Sequence, residues 1–142
     1  PPRSTLFPYT TLFRSSYLYF PSNETELVEK LYQKDPVWSV PFLWRSEFRS
    51  VGTLYLRKRI LTYEAVKDAA QRAEELLWGY EEMVESEEVF PIILKSGCSA
   101  YDCEFVALAI RLNTYLITYD KKIISEFPQV ALRPEQYLKI AK

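Results

Sequence analysis

The chain has 142 residues, 48% hydrophobic and 26% charged, which fits one globular domain with a substantial core. It has no histidine and only three separated glycines, Gly52, Gly79 and Gly97, which excludes histidine catalysis, histidine-held metals and glycine-rich phosphate loops. Nineteen acidic residues against 18 basic ones leave a net charge of -1, too little for bulk attraction to nucleic acid, so the remaining chemistry is that of carboxylates, with or without a bound cation.

The first fifteen residues, PPRSTLFPYTTLFRS, repeat Thr-Leu-Phe at 5–7 and 11–13, and no acid precedes Glu24. Thr, Tyr and Phe favour strands and Pro8 suits a turn, so a β-hairpin is one reading. The more specific reading is that TLFPYTTLFRS, residues 5–15, resembles the conceptual translation of a sequencing adapter. The sole methionine, Met83, and the start at Pro1-Pro2-Arg3 agree with it. On that reading residues 1–15 are non-native, and a single domain spans 16–142 without its native first strand.

Helical and strand patterns then alternate. Asn23 with Glu26 has capping-box spacing, and Leu27, Val28, Leu31 and Tyr32 follow at helical period before Asp35-Pro36. Residues 37–40 read as a short strand. Pro41 suits the first turn of a helix running to about Arg59. Thr62 caps a helix with the stripe Val66, Ala69, Ala73, Leu76 and Leu77, closed by Gly79. Residues 87–95 are ambiguous, and 100–113 form an amphipathic helix. Residues 114–119 alternate like a strand, 121–126 make a short helix, 130–132 an edge strand, and Pro134 opens a last helix. This alternation predicts an α/β fold around a mostly parallel sheet.

Cys98 and Cys103 lack the further ligands of a zinc site and read as buried reduced thiols. No apolar run approaches the ~18 residues that span a bilayer, and no cleavable signal pattern is present. A cytoplasmic location without membrane association is therefore expected.

Most carboxylates read as solvated surface, including the run Glu74, Glu75, Glu81, Glu82, Glu85, Glu87 and Glu88. Three stand out. Glu47 projects into the apolar stripe of Trp44, Phe48, Val51 and Tyr55, whereas Arg45, Arg49 and Arg57 point away. A buried carboxylate needs a basic partner, a proton or a cation, and a salt bridge or a misphased helix would account for Glu47 equally well. Asp102 has capping-box spacing from Ser99, yet shares a face with Phe105, Val106, Ala109 and Leu112. Asp120 follows the strand 116–119. It reads as a helix cap or as a ligand-facing acid where parallel sheets bind ligands, with Thr118 on the same side. Converging carboxylates without histidine or cysteine favour Mg2+ or Mn2+ and suit hydrolysis at phosphorus.

The run Ser99-Ala100-Tyr101-Asp102-Cys103-Glu104-Phe105-Val106-Ala107-Leu108-Ala109 resembles the C-terminal signature of PIN-domain ribonucleases, particularly VapC-like toxins of type II toxin–antitoxin systems. Leu116-Ile117-Thr118-Tyr119-Asp120 is similar to that family's strand ending in aspartate. Pro41-Phe42-Leu43-Trp44-Arg45-Ser46-Glu47 resembles its proline-led helix bearing a second acid. The resemblance runs from about residue 16 to the end. It implies a three-layer α/β/α sandwich and a Mg2+- or Mn2+-dependent endoribonuclease, with Glu47, Asp102 and Asp120 as catalytic and metal-holding acids. Thr118 and Ser99 would support them. It further implies a cognate antitoxin and a homodimer.

The family's first strand ends in a further metal-holding aspartate, expected near Thr11, where this chain has no acid. The resemblance therefore implies impaired activity in this chain. Arg45 and Arg49, one turn apart, are the RNA-contact candidates, with solvated helix surface as the plainer explanation. A catalytically inactive PIN-fold protein-binding module is the alternative function. A metal-free two-carboxylate hydrolase is a more distant one, because it leaves the third acid unexplained.

Overall fold

The computed structural model describes Thr5–Leu6 and residues 23–140. Its strands are β1 (Thr5–Leu6), β2 (Trp38–Pro41), β3 (Glu81–Glu82), β4 (Leu116–Ile117) and β5 (Ala131–Leu132). Its helices are α1 (Asn23–Lys34), α2 (Trp44–Arg57), α3 (Tyr63–Leu77), α4 (Ser86–Lys95), α5 (Ala100–Leu112), α6 (Lys121–Glu126) and α7 (Pro134–Lys139). The described strands form a five-stranded sheet in the order β3-β2-β1-β4-β5, with every pairing parallel. The expected α/β class with a parallel sheet is observed.

The strand order has a functional consequence. The chain moves outward from β1 to β2 and β3, then crosses to the other side for β4 and β5. The order therefore reverses beside β1, and ligands of open parallel sheets gather beyond the carboxyl ends of the strands at such a point. Thr5–Leu6 hold the central place, pairing with β2 at Trp38 and Ser39 and with β4 at Leu116. Thr5–Leu6 thus supply a central strand from within the segment read as non-native. Thr11, the expected neighbourhood of the absent aspartate, lies outside the described residues.

Helix α5 packs against β2, β1 and β4. Its apolar stripe supplies buried Cys103, Phe105, Val106, Ala107, Leu108 and Ala109, which meet Trp38, Val40, Leu116 and Ile117 in one core. Ser99 starts the helix, its hydroxyl accepting the Asp102 N–H at 3.1 Å. Asn113 ends it in the left-handed region at φ 51, which asparagine tolerates better than most residues. Thr62 caps α3 by accepting from the Ala65 N–H at 3.2 Å, and Gly79 follows that helix at φ +83, as its spacing predicts.

Several boundaries differ from expectation. Pro41 ends β2, where it pairs with Glu82; it does not open α2, which starts at Trp44. The helix stops at Arg57, and Arg59 turns to φ 55. The ambiguous segment is helical from Ser86, its start tied by the Glu85 N–H donating to Glu88 at 2.8 Å. The main correction concerns Glu81 and Glu82, assigned to a solvated acidic run. They form edge strand β3 against β2, and the Glu81 side chain is only 7% exposed because Arg45 neutralises it. Both cysteines are buried and free, and burial pushes the Cys98 thiol up. Such a thiol is a poor nucleophile.

Candidate active site

Glu47, Asp102 and Asp120 lie on separate elements, and each is delivered to the same edge of the sheet. Glu47 sits in the first turn of α2, just past the carboxyl end of β2. Asp120 follows β4 and caps α6, with Oδ1 accepting the N–H groups of Lys122 at 2.9 Å and Ile123 at 3.0 Å. Asp102 lies in the first turn of α5, which crosses both strands.

The acids sense one another as a chain. Burial raises the Glu47 carboxyl above the usual carboxylate range, and the charge of Asp102 raises it further. Burial also raises Asp102; its hydrogen bond with Ser99 opposes this, Asp120 adds to it, and Lys122 opposes it. Desolvation and like charge both disfavour the ionised form, so the two effects act together. Among the described residues the Glu47 carboxylate has neither a hydrogen-bond donor nor an ion-pair partner. The salt-bridge explanation for its place on an apolar stripe thus finds no partner there.

Thr118 is fully buried. Its backbone N–H donates to Leu132 at 2.9 Å, and its hydroxyl accepts the Asp120 N–H at 3.0 Å. That second bond turns the chain sharply at the end of β4 and fixes where Asp120 emerges. Ser99 does the equivalent for Asp102. Both supporting residues act through backbone N–H groups of the acids they precede.

The two arginines part company. Arg45 donates twice to Glu81, at 2.8 Å from Nε and 2.8 Å from a terminal nitrogen, and also reaches Glu74 at 3.3 Å. Trp44 Nε1 donates to the same Glu81 carboxylate at 2.9 Å. Arg45 is thus committed to fastening α2 to edge strand β3. Arg49 is exposed and remains available for a ligand.

Two residues that sequence reasoning missed also matter here. Glu104 is raised by burial, but two residues from Asp102 places it on the opposite side of α5, outside the cluster. Lys122 does act on the cluster, and its only sequence signal is its position two residues after a strand-end aspartate.

The donor set is oxygen-only and suits a hard divalent cation in kind. In geometry it is incomplete: among the described residues no three acid or cysteine side chains are grouped closely enough to hold a metal ion. Glu47 with Asp102, and Asp102 with Asp120, make coupled pairs instead of a closed triad.

The sequence matches no protein-family model and no curated protein. No helix among the described residues is long and apolar enough to cross a membrane.

Proposed function

We propose that this chain is a PIN-like α/β/α sandwich of the VapC-like type, built as a Mg2+- or Mn2+-dependent endoribonuclease of the cytoplasm. The observation that supports it best is the run of charge effects from Asp120 to Asp102 and from Asp102 to Glu47 at the carboxyl ends of parallel strands. Asp102 is the centre of the set, since it couples to both other acids. A divalent ion, when bound, would polarise the phosphodiester and offset the charge of the carboxylates.

The remaining work falls to side chains of this chain. Asp102, held by the Ser99 cap, orients a water molecule or accepts its proton. Glu47, whose charge is disfavoured by burial and by Asp102, would be stabilised in its ionised form by the ion and hold it from the α2 side. Asp120, fixed by Thr118 and the α6 backbone, closes the set from the β4 side. RNA is the substrate, and a cognate antitoxin and a second copy of the chain are the proposed partners.

The alternative is an inactive PIN-fold binding module. It is favoured by the absence of any acid before Glu24 and of a closed triad among the described residues. One experiment separates the two. Structured RNA is incubated with the protein in Mg2+ or Mn2+, beside Asp102→Asn and beside a variant carrying an aspartate after β1. Cleavage that is strengthened by the added aspartate and abolished by Asp102→Asn supports the nuclease. No cleavage by any form leaves the binding module as the function.

A further inference from the structure

Lys122 lies against the loop that delivers Asp102. A Cβ placed on Gly97 would stand 3.5 Å from Lys122 Cε and 3.5 Å from its Nζ. The Gly97 N–H donates to Glu126 on the same short helix at 3.2 Å, so α6 and the loop are fastened together along the lysine stem. Two residues after Gly97, Ser99 caps α5 and fixes Asp102. The end of the lysine side chain therefore packs against the loop that leads into the Asp102 cap, and its charge acts on Asp102.

The ammonium is also free to bind. Among the described residues it donates no hydrogen bond and closes no ion pair, whereas Arg45 and Arg111 are both occupied by glutamates. Among the described residues Lys122 is the one cation whose charge acts on Asp102. An ammonium carries three donors and binds phosphate as a point charge. A phosphodiester approaching three carboxylates meets repulsion that such a group, placed at their edge, offsets.

We propose that Lys122 is a phosphate-contacting residue of the acid site, held in place by packing over Gly97. This rests on the ribonuclease reading, and it names a substrate contact that neither the sequence motifs nor the acids themselves identify. A Cβ at residue 97 would stand in ordinary contact with Glu126 Oε1 at 3.4 Å and with the lysine's Cε and Nζ, so the further methyl groups of valine would crowd the lysine end and Glu126 without changing any charge.

The test measures binding, not cleavage. A fluorescent single-stranded RNA with 2′-O-methyl sugars is titrated in chelator at several salt concentrations, and anisotropy is read. Lys122→Met should weaken binding about fivefold and reduce the slope of log affinity against log salt by about 0.7, one phosphate contact on a single strand. Lys122→Arg should restore both. Lys121→Met, with the same charge change at the neighbouring position, should have a smaller effect. Gly97→Val should weaken binding in the same direction as Lys122→Met, with folding of each variant checked by circular dichroism. Equal losses for Lys121→Met and Lys122→Met would overturn the assignment in favour of general surface charge. Unchanged binding by Lys122→Met would overturn it alone. Failure of the unaltered chain to bind RNA at all would overturn the ribonuclease reading beneath it.

Discussion

Asp102 raises the pKa of Glu47 across the gap between α5 and α2, adding to the larger effect of burial. Neither carboxylate has a described cation bound to it at ion-pair distance. This relationship sets a direction for stability. An acid whose folded pKa lies above its unfolded value binds more protons when folded, so stability falls as pH rises through that interval. Glu47→Gln and Asp102→Asn should therefore stabilise the metal-free protein at neutral pH. Both groups are partly solvated, so screening limits the gain to on the order of 0.5 kcal/mol each. Below the unfolded carboxyl pKa of about 4 the variants and the unaltered chain should melt alike. Thermal melts in chelator across the acid range check this, and a variant less stable at neutral pH would contradict it.

Ser99 offers a second handle on Asp102. Its hydroxyl accepts the Asp102 N–H and its hydrogen bond lowers the Asp102 carboxyl. Ser99→Ala should cost about 1 kcal/mol through the lost helix cap. It should also move Asp102 further up, so that any cleavage activity needs a higher pH to appear. Urea melts give the first quantity and a pH–rate profile the second. Ser99→Thr retains the hydroxyl and should retain both properties.

The sequence was most legible where patterns are long. Helices α3 and α5 show many turns of apolar period between clear caps, so Thr62, Gly79 and Ser99 mark their ends correctly. Strands only two residues long carry almost no period. Nothing in Glu81-Glu82 favours a strand, and β3 exists because the chain returns beside β2 with Val40 opposite Glu81. The same applies to the site. Glu47 is legible as a charge on an apolar stripe and Asp102 as an acid at the head of another. Their coupling is not legible, because helix packing sets the approach of α2 to α5. Likewise Arg45 and Arg49 look equivalent on a helical wheel, and only the tertiary position of Glu81 divides a strut from an available cation.

That division predicts different phenotypes. Arg45→Met leaves a nearly buried Glu81 carboxylate with only Trp44 as a side-chain donor. It should destabilise the fold by about 2 kcal/mol, and the double variant with Glu81→Gln should recover most of this loss. The Arg45 hydrogen bonds hold Glu81 below the usual carboxylate range. Stability from the pair is therefore complete above the unfolded glutamate pKa of about 4.3 and is lost as pH falls through the lowered folded value. Arg49→Ala should leave stability within about 0.5 kcal/mol of the unaltered chain and weaken RNA binding instead. Chemical melts of the three variants, with RNA titrations of those that fold, distinguish the roles. A strong loss of RNA affinity in Arg45→Met at unchanged stability would return Arg45 to the RNA contacts.

Thr118 ties the core to the site through one hydrogen bond, from the Asp120 N–H to its buried hydroxyl. Thr118→Val keeps the volume of the side chain and removes the acceptor. The Asp120 N–H then loses its partner at the turn after β4, which should cost about 1–2 kcal/mol. Thr118→Ser keeps the acceptor and removes a methyl group, leaving a small cavity and costing about 1 kcal/mol. The two variants are thus similarly destabilised for opposite reasons. They should separate in function, because only the valine frees Asp120 from its fixed exit. Cleavage by Thr118→Ser should stay within a few-fold of the unaltered chain, and cleavage by Thr118→Val should fall by more than tenfold, since small displacements of a reacting group are costly. Equal activities at equal stability would mean that the hydroxyl serves the strand alone and that α6 suffices to hold Asp120.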